Sequence, residues 1–451
     1  MICPSPLSGG GQPTQNFFLK KEDEFMMRRI IKNSLCLIPL LVLLFSAAPA
    51  GAVISVQCPG DIDGDLIPDA TIPAGFPNSG QPNPDFDANV VCMHITAGDG
   101  FSKMADGYDQ YIFGFGLVGP TTPPNIVPAD QVVPDFALKA AAPAPTIVLN
   151  EGQELYLTLS NIGLPMRPDL FDSHTVHFHG FPNAAPIFDG LPENSPSPNM
   201  GVSYTYYYKA AVAGTYFYHC HVEAVEHMQM GMIGNAWIRP AQNGTTYTLQ
   251  DGTGRQYNKF AYNDGDGSTG YDKEYPLQLT AFDSNFHDAH IAVQALPFAA
   301  MYDNYHMING RGYPDTVNPN PIVNNATAFG AAENYQAQKM NALITATQGE
   351  RVLLRVSNVS TTHLYAITTN LGVPMKVVGR DAGHLRGPTG KDTSMDLQVL
   401  EVAGGQSFDV ILDTRDVRIG TYFLYAAEFA ALSNGPQDIG GIMTEIVISA
   451  P

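Results

Sequence analysis

Beyond residue 52 the chain consists of short apolar runs separated by clusters of glycine, proline, asparagine and aspartate. The runs at 155–159, 204–208, 216–218 and 352–356 are rich in β-branched and aromatic residues and are bounded by turn formers, the pattern of strands. No long stretch repeats its apolar positions at helical spacing, so the chain reads as all-β. An internal repeat then divides it. Gly214-Thr-Tyr-Phe-Tyr-His219-Cys220-His221 returns as Gly420-Thr-Tyr-Phe-Leu-Tyr425-Ala426-Ala427. Ser160-Asn161 followed by His174-Thr-Val-His177-Phe-His179 returns as Ser357-Asn358 followed by His363-Leu-Tyr-Ala366-Ile-Thr368. Two β-sandwich domains of one design are expected, at residues 108–245 and 255–451, with an irregular extension over 53–107. The second copy has Tyr-Ala-Ala where the first has His-Cys-His, and only His363 is expected to keep its counterpart.

The first copy carries the chemistry. His219-Cys220-His221 is followed by His227, Met228, Met230 and Met232. A thiolate, an imidazole shortly downstream and a thioether after it are components of a blue-copper centre, a trigonal His₂Cys plane with a weak axial Met. The second imidazole must come from elsewhere, and His174-Thr-Val-His177-Phe-His179-Gly offers it. Two such clusters in a chain of 12 histidines point to copper. Alternate residues of a strand face opposite sides. Cys220 therefore points to one metal while His219 and His221 point together to another, and His177 shares a face with His179.

The order HxxHxH, then HCH…H…GM, with His177-Phe-His179-Gly and Asp189-Gly190, resembles the carboxy-terminal copper signature of the multicopper oxidase superfamily. The similarity spans roughly residues 145–240, with a weaker echo to the end. It implies two cupredoxin-like Greek-key β-sandwich domains. It implies His174, Cys220, His227 and Met232 as type 1 copper ligands, with His177, His179, His219 and His221 at a type 2/type 3 copper cluster. Asp189 would be a catalytic proton relay. The implied reaction is one-electron oxidation of a small-molecule or metal-ion reductant, with electrons passing through the Cys220 peptide to the second site and on to oxygen. His227 lies seven residues after Cys220 and Met232 twelve, where the family spacing is five and ten, which leaves Met230 as a rival axial ligand. The family cluster takes four His-x-His pairs and this chain shows two. A partner chain, as in a homotrimer, would complete the cluster. Alternatively the outer histidines hold a mononuclear type 2 copper, as in copper nitrite reductases, whose ligand spacing His174 and His179 share. A third reading is a non-enzymatic electron carrier with type 1 copper alone, and a fourth a degenerate structural module. Met228, Met230 and Met232 alternate as if on one strand face. Glu223 and Glu226 stand ready to guide an ion such as Fe²⁺ or Mn²⁺ towards His227. His287, His290, His306 and His384 lack ligand spacing and read as surface or hydrogen-bonding residues.

Met26-Met27-Arg28-Arg29, the apolar run at 35–45 and Ala50-Gly51-Ala52 have the order of a secretory signal. Residues 1–52 are thus expected to be leader and signal, translation to start at Met26 or Met27, and the exported chain to begin near Val53. The apolar run is too short for a membrane span, and the destination is the periplasm, the cell surface or the medium. The formal net charge of −20 argues against nucleic acid as a partner. With Cys220 assigned to copper, Cys58 and Cys92 are expected to form a disulfide in an oxidising compartment. Asp61-Ile-Asp63-Gly-Asp65-Leu-Ile-Pro-Asp69 resembles the calcium-binding repeats of thrombospondin type 3 modules, with carboxylates at alternate positions around a hard cation.

Overall fold

Apolar alternation and turn chemistry place the strands as expected. The computed structural model describes residues 54–121, 126–182, 184–324 and 335–451, and the signal expected over 1–52 lies outside the described residues. Residues 53–451 form one compact unit. The first sandwich is built from β1 (Val90–Lys103), β2 (Asp109–Gly119), β3 (Ala144–Asn150), β4 (Glu154–Gly163), β5 (His177–His179), β6 (Ser203–Lys209), β7 (Gly214–His219) and β8 (Ile233–Arg239). One sheet runs β2-β1-β4-β6 and the other β3-β8-β7-β5. Leu155, Leu157 and Leu159 of β4 meet Tyr206 and Tyr208 of β6 and Phe113 and Phe115 of β2 in the core between them. Each such side chain contributes roughly 1.5–3 kcal/mol by burial.

A two-stranded ribbon, β9 (Tyr247–Thr248) with β10 (Gln256–Tyr257), leads to the second sandwich. It comprises β11 (Lys273–Phe282), β12 (Tyr305–Ile308), β13 (Ile344–Thr347), β14 (Arg351–Asn358), β15 (Tyr365–Thr369), β16 (Met375–Arg380), β17 (Gly383–His384), β18 (Met395–Leu397), β19 (Val399–Val402), β20 (Ser407–Asp413), β21 (Gly420–Ala426) and β22 (Met443–Ser449). The two sandwiches share a pairing plan. β1 runs parallel to β4 as β11 does to β14, and β3 runs parallel to β8 as β13 does to β22. The short helices α1 (Val132–Phe136), α2 (Ala224–Gln229) and α3 (Ser284–Ile291) sit in connections.

One boundary differs from the sequence reading. β1 pairs with β4 over Val90–Gly98 and with β2 over His94–Lys103, so the first sandwich begins at Val90 and the extension over 53–107 ends eighteen residues early. Its glycines and Asp99 hide it as a strand, because both of its faces are buried and no polar–apolar alternation marks it. The Cys58–Cys92 disulfide forms and ties the preceding segment to this strand.

The repeat also aligns two residues away from the letter match. Asn161 Nδ2 donates to the carbonyls of Asp172 and Pro198, and Asn358 Nδ2 to those of His363 and Val402. His177 faces His219 across the ladder, as Thr368 faces Tyr425. His363 therefore corresponds to Asp172, and Tyr365 to His174.

The sandwiches meet at a buried polar joint. Thr215 Oγ1 of β7 donates to Asp409 of β20 at 2.6 Å, and Arg355 of β14 bonds to both, at 3.1 Å and 3.2 Å. Arg355 also stands over the Trp237 ring of β8, 5.7 Å from its centroid.

Candidate metal centre

His174 lies in the connection entering β5, Cys220 directly follows β7, and the chain then turns into α2 with His227 near its end. Cys220 Sγ is 3.2 Å from His227 Nδ1 and 3.9 Å from His174 Nδ1, and all three residues are fully buried. Metal–sulfur and metal–imidazole bonds of about 2.3 and 2.0 Å, the zinc values, put two donors of a trigonal plane about 3.7 Å apart. The observed pair of distances brackets that separation, so the donor set fits a single small ion of the copper type.

The main chain holds these donors in place. Thr175 N donates towards Cys220 Sγ at 3.4 Å, and Thr175 Oγ1 accepts from His221 N at 3.1 Å. Val176 N donates to the Tyr206 hydroxyl, while the Tyr208 hydroxyl donates to Val176 O. Nothing in the tyrosine-rich pattern of β6 distinguishes these braces from ordinary strand residues. Cys220 N donates to Met232 O at 3.1 Å, and Met232 N to His227 O at 2.9 Å. Met232 is thus hooked to two of the donors, while Met230 caps α2 and accepts from Phe113 N. Met228 leaves this face altogether and packs beside Phe217, Ile233 and Val359. The longer loop is the reason: its extra residues coil into α2, and helical spacing separates the three thioethers.

Electrostatics follow from burial. Desolvation, helped by His227, holds His174 well below its ordinary value, so its ring is neutral and offers a lone pair. Desolvation also disfavours charge on His227, but the adjacent Cys220 thiolate and Asp172 more than reverse this and lift it to about 10.

The second cluster lies across the strand pair. His177 and His219 face each other in register, and the rings of His177, His179, His219 and His221 lie with centroids 5.0–6.2 Å apart in their close pairs. His177 Nδ1 donates to Asp189 O at 2.6 Å and His219 Nδ1 to Cys220 O at 2.8 Å, which leaves Nε2 of each free to point into the cluster. Burial keeps His219 down at about 3, and His177 and His179 below their ordinary values. The cluster opens into a cleft of about 540 Å³ whose far wall is the second sandwich, with His363 and Gly405 facing His179 and His221. The Asp189 carboxylate lies 3.6 Å from His177 Nδ1.

Of the histidines without ligand spacing, His287, His290 and His306 are buried and hydrogen-bonded rather than on the surface, and His384 stacks on Tyr262. His290 of α3 bonds to Glu226 at 2.8 Å, a neighbour that no local motif announces. In the acidic loop the carboxylates of Asp61, Asp63 and Asp65 converge within 4.8 Å. Asp69 stands apart from them, its carboxylate accepting from Ile62 N and closing the loop.

Two stretches of the chain, residues 124–243 and 284–444, match the multicopper oxidase family. A multicopper oxidase of Talaromyces pinophilus is 35% identical over 103 residues, 22% of this chain and 16% of that protein. A laccase of Aspergillus fumigatus is 32% identical over 133 residues, 29% of this chain and 20% of that protein. The matches span a fifth or less of these relatives' length. A blue copper oxidase from Nitrosomonas europaea has a similar fold, with a TM-score of 0.56 at 21% identity over 79% of this chain and 85% of that one. A copper nitrite reductase from the same organism gives 0.50 at 15% identity over 80% and 94%. With two cupredoxin-type sandwiches and both stretches matched, the chain belongs to the multicopper oxidase family.

Proposed function

We propose that the protein is a copper-dependent oxidoreductase with a type 1 copper at His174, Cys220, His227 and Met232. The observation that carries this reading is the convergence of the three buried donors of His174, Cys220 and His227 within 4.8 Å of one another. Copper bound there would supply a one-electron couple. The chain's own part is to hold two imidazoles and a cysteine sulfur in a dry pocket and to fix their geometry through Thr175, Tyr206 and Tyr208. Cys220 links that pocket by single peptide bonds to His219 and His221. With His177 and His179 these hold the second copper site, where Asp189 keeps a carboxylate beside His177 for proton delivery. The reductant is a small molecule or metal ion, the acceptor oxygen, and the working place the periplasm or cell exterior. A homotrimer or partner chain would supply the further imidazoles of a full trinuclear cluster, while calcium is the proposed occupant of Asp61, Asp63 and Asp65.

A mononuclear type 2 copper is the second reading of the outer cluster, favoured by His363 on the facing wall of the same cleft. Copper per chain, measured together with an electron paramagnetic resonance spectrum on copper-loaded protein, tests both. A blue type 1 signal with more than one copper per chain supports an oxidase. One copper with a type 1 signal alone leaves an electron carrier. No blue signal in the wild type, or one that is no weaker in Cys220→Ser, refutes the type 1 centre.

A further inference from the structure

Basic residues are few on this chain, whose 23 lysines and arginines face 43 aspartates and glutamates. Four of them nevertheless line one cavity of about 310 Å³ between the β9–β10 hairpin and the second sandwich: Arg255 of the hairpin, Arg351 of β14, Lys376 of β16 and Arg415 after β20. Arg351 is the most deeply buried of the four, with 4% of its surface exposed. Its Nη2 donates to Ser268 O at 2.8 Å, and its guanidinium stands 5.4 Å from the centre of the Tyr257 ring. Its Nε and Nη1 are buried and have no hydrogen-bond partner among the described residues.

The carboxylates of the cavity do not answer that charge. Asp413 faces Arg351 across the β14–β20 ladder, but Arg255 holds both of its oxygens, at 3.0 Å and 2.6 Å. Asp251 is bound to the same Arg255 at 3.1 Å, and Arg415 reaches both acids at 3.7 Å. Asp396 and Asp416 stand exposed at the rim, Asp416 3.8 Å from Arg415 Nε and Asp396 opposite Lys376 in the β16–β18 pair. Lys376 itself lies 3.9 Å from Asp392. Three guanidinium groups thus meet two inner carboxylates, and Arg351 is left over. A buried charge without a partner is costly, and burial draws Arg351 below the ordinary arginine value. Guanidinium N–H groups match the oxygens of phosphate and sulfate in geometry and charge, and the cavity is at the small end of the range for ligand pockets.

We propose that this cavity binds one small oxyanion, phosphate or sulfate, on Arg351 and Lys376. The bound ion sits between the hairpin and strands β14, β16 and β20, so it fastens the ribbon that joins the two sandwiches to the second of them. The site is built wholly from the ribbon and the second sandwich, and it stands whether or not the first sandwich holds copper.

The test titrates the full exported chain with sodium phosphate and, separately, with sodium sulfate, by calorimetry in chloride buffer at constant ionic strength. Arg351→Gln and Lys376→Gln are compared with Lys209→Gln, which removes the same charge from β6 of the first sandwich, where that side chain is 60% exposed. The expected result is one ion per wild-type chain, bound about tenfold more weakly or worse in Arg351→Gln, about threefold more weakly in Lys376→Gln and unchanged in Lys209→Gln. Amide hydrogen exchange over residues 249–257 should slow when the ion binds. A preference for phosphate or for sulfate names the source of the oxyanion, and either supports the site. A wild-type chain that binds neither ion saturably overturns the proposal, and so does equal weakening in all three variants, which would reduce the effect to overall charge. Slower exchange confined to other segments places the ion elsewhere and overturns it too. If Arg351→Gln fails to fold, Lys376→Gln decides, and an unchanged affinity there rejects the site.

Discussion

Replacing Arg355 with methionine tests how the two sandwiches are held together. Its side chain is 0% exposed and that of Asp409 1%, with Nη1 3.2 Å from Oδ1. Burial works against the guanidinium charge, but Asp409 and Glu274 hold it firmly protonated. At an effective dielectric near 20, two unit charges 3.2 Å apart attract by about 5 kcal/mol. Most of that only offsets the cost of desolvating both ions, so the pair's net worth is small. Removing one partner is different, because Asp409 then stays buried without its cation. Arg355→Met should therefore cost about 3–5 kcal/mol. Arg355→Met/Asp409→Leu should recover much of this, leaving Glu274 to its remaining partners Arg239 and Tyr271, each 3.0 Å away. Thr215 and Tyr262 also donate to Asp409, and losing their acceptor costs about 1 kcal/mol each. Urea unfolding of the four proteins of this cycle, with copper chelated, gives the coupling energy directly. A double variant as unstable as the sum of the two singles would refute the reasoning, and so would a cost below 1 kcal/mol for Arg355→Met. The outer histidines supply a second readout. The joint sits on β7 only four residues before His219, so loosening it should weaken copper binding there more than at Cys220.

Three further outcomes are expected. Asp99 is buried with one oxygen unpartnered, and burial pushes it up to about 6 against an ordinary 3.8, so the folded state holds the extra proton and stability falls as pH rises from about 4 through about 6. Asp99→Asn keeps an acceptor for Tyr111 and Met166 and should match the wild type at pH 4 but exceed it at pH 8 by up to about 3 kcal/mol; equal pH dependence in urea unfolding would count against this. Gly190 has φ +77°, and a Cβ there would sit 2.0 Å from Val176 O, between His174 and His177. Gly190→Ala should cost about 3 kcal/mol and weaken blue-copper loading, and a variant that loads copper like the wild type would show the loop yields. Calorimetric titration should find one Ca²⁺ per chain, lost in Asp63→Asn/Asp65→Asn, with about 2.7 kcal/mol of added stability at a hundredfold excess over Kd; heat that survives in the variant would place the ion elsewhere.

The sandwich strands and the metal-type donors at Cys220 and His227 were legible in the chain because both are local patterns. A strand announces itself by alternation over a few residues, and Cys220 with His227 by spacing along one loop. What the sequence concealed depends on contacts between distant segments. β1 lacks alternation because both of its faces are covered. The methionines after His227 alternate like a strand, yet the loop coils into α2. The cover over His227 includes Phe113 and, behind it, His290 of α3, about sixty residues downstream and beyond the domain boundary. No local pattern near His227 hints that its outer edge is closed.

The second sandwich shows what the first requires. The Asn161 and Asn358 anchors fix corresponding backbones, so Tyr365 fills the place of His174 and Ala426 that of Cys220. A buried sulfur between two imidazoles is the donor set that a soft metal ion takes. A buried phenol can be satisfied by a hydrogen bond, and the Tyr365 hydroxyl pairs with His306 Nδ1 at 2.9 Å. One polar pair in the second sandwich thus takes the place of a metal site in the first, on the same strand framework.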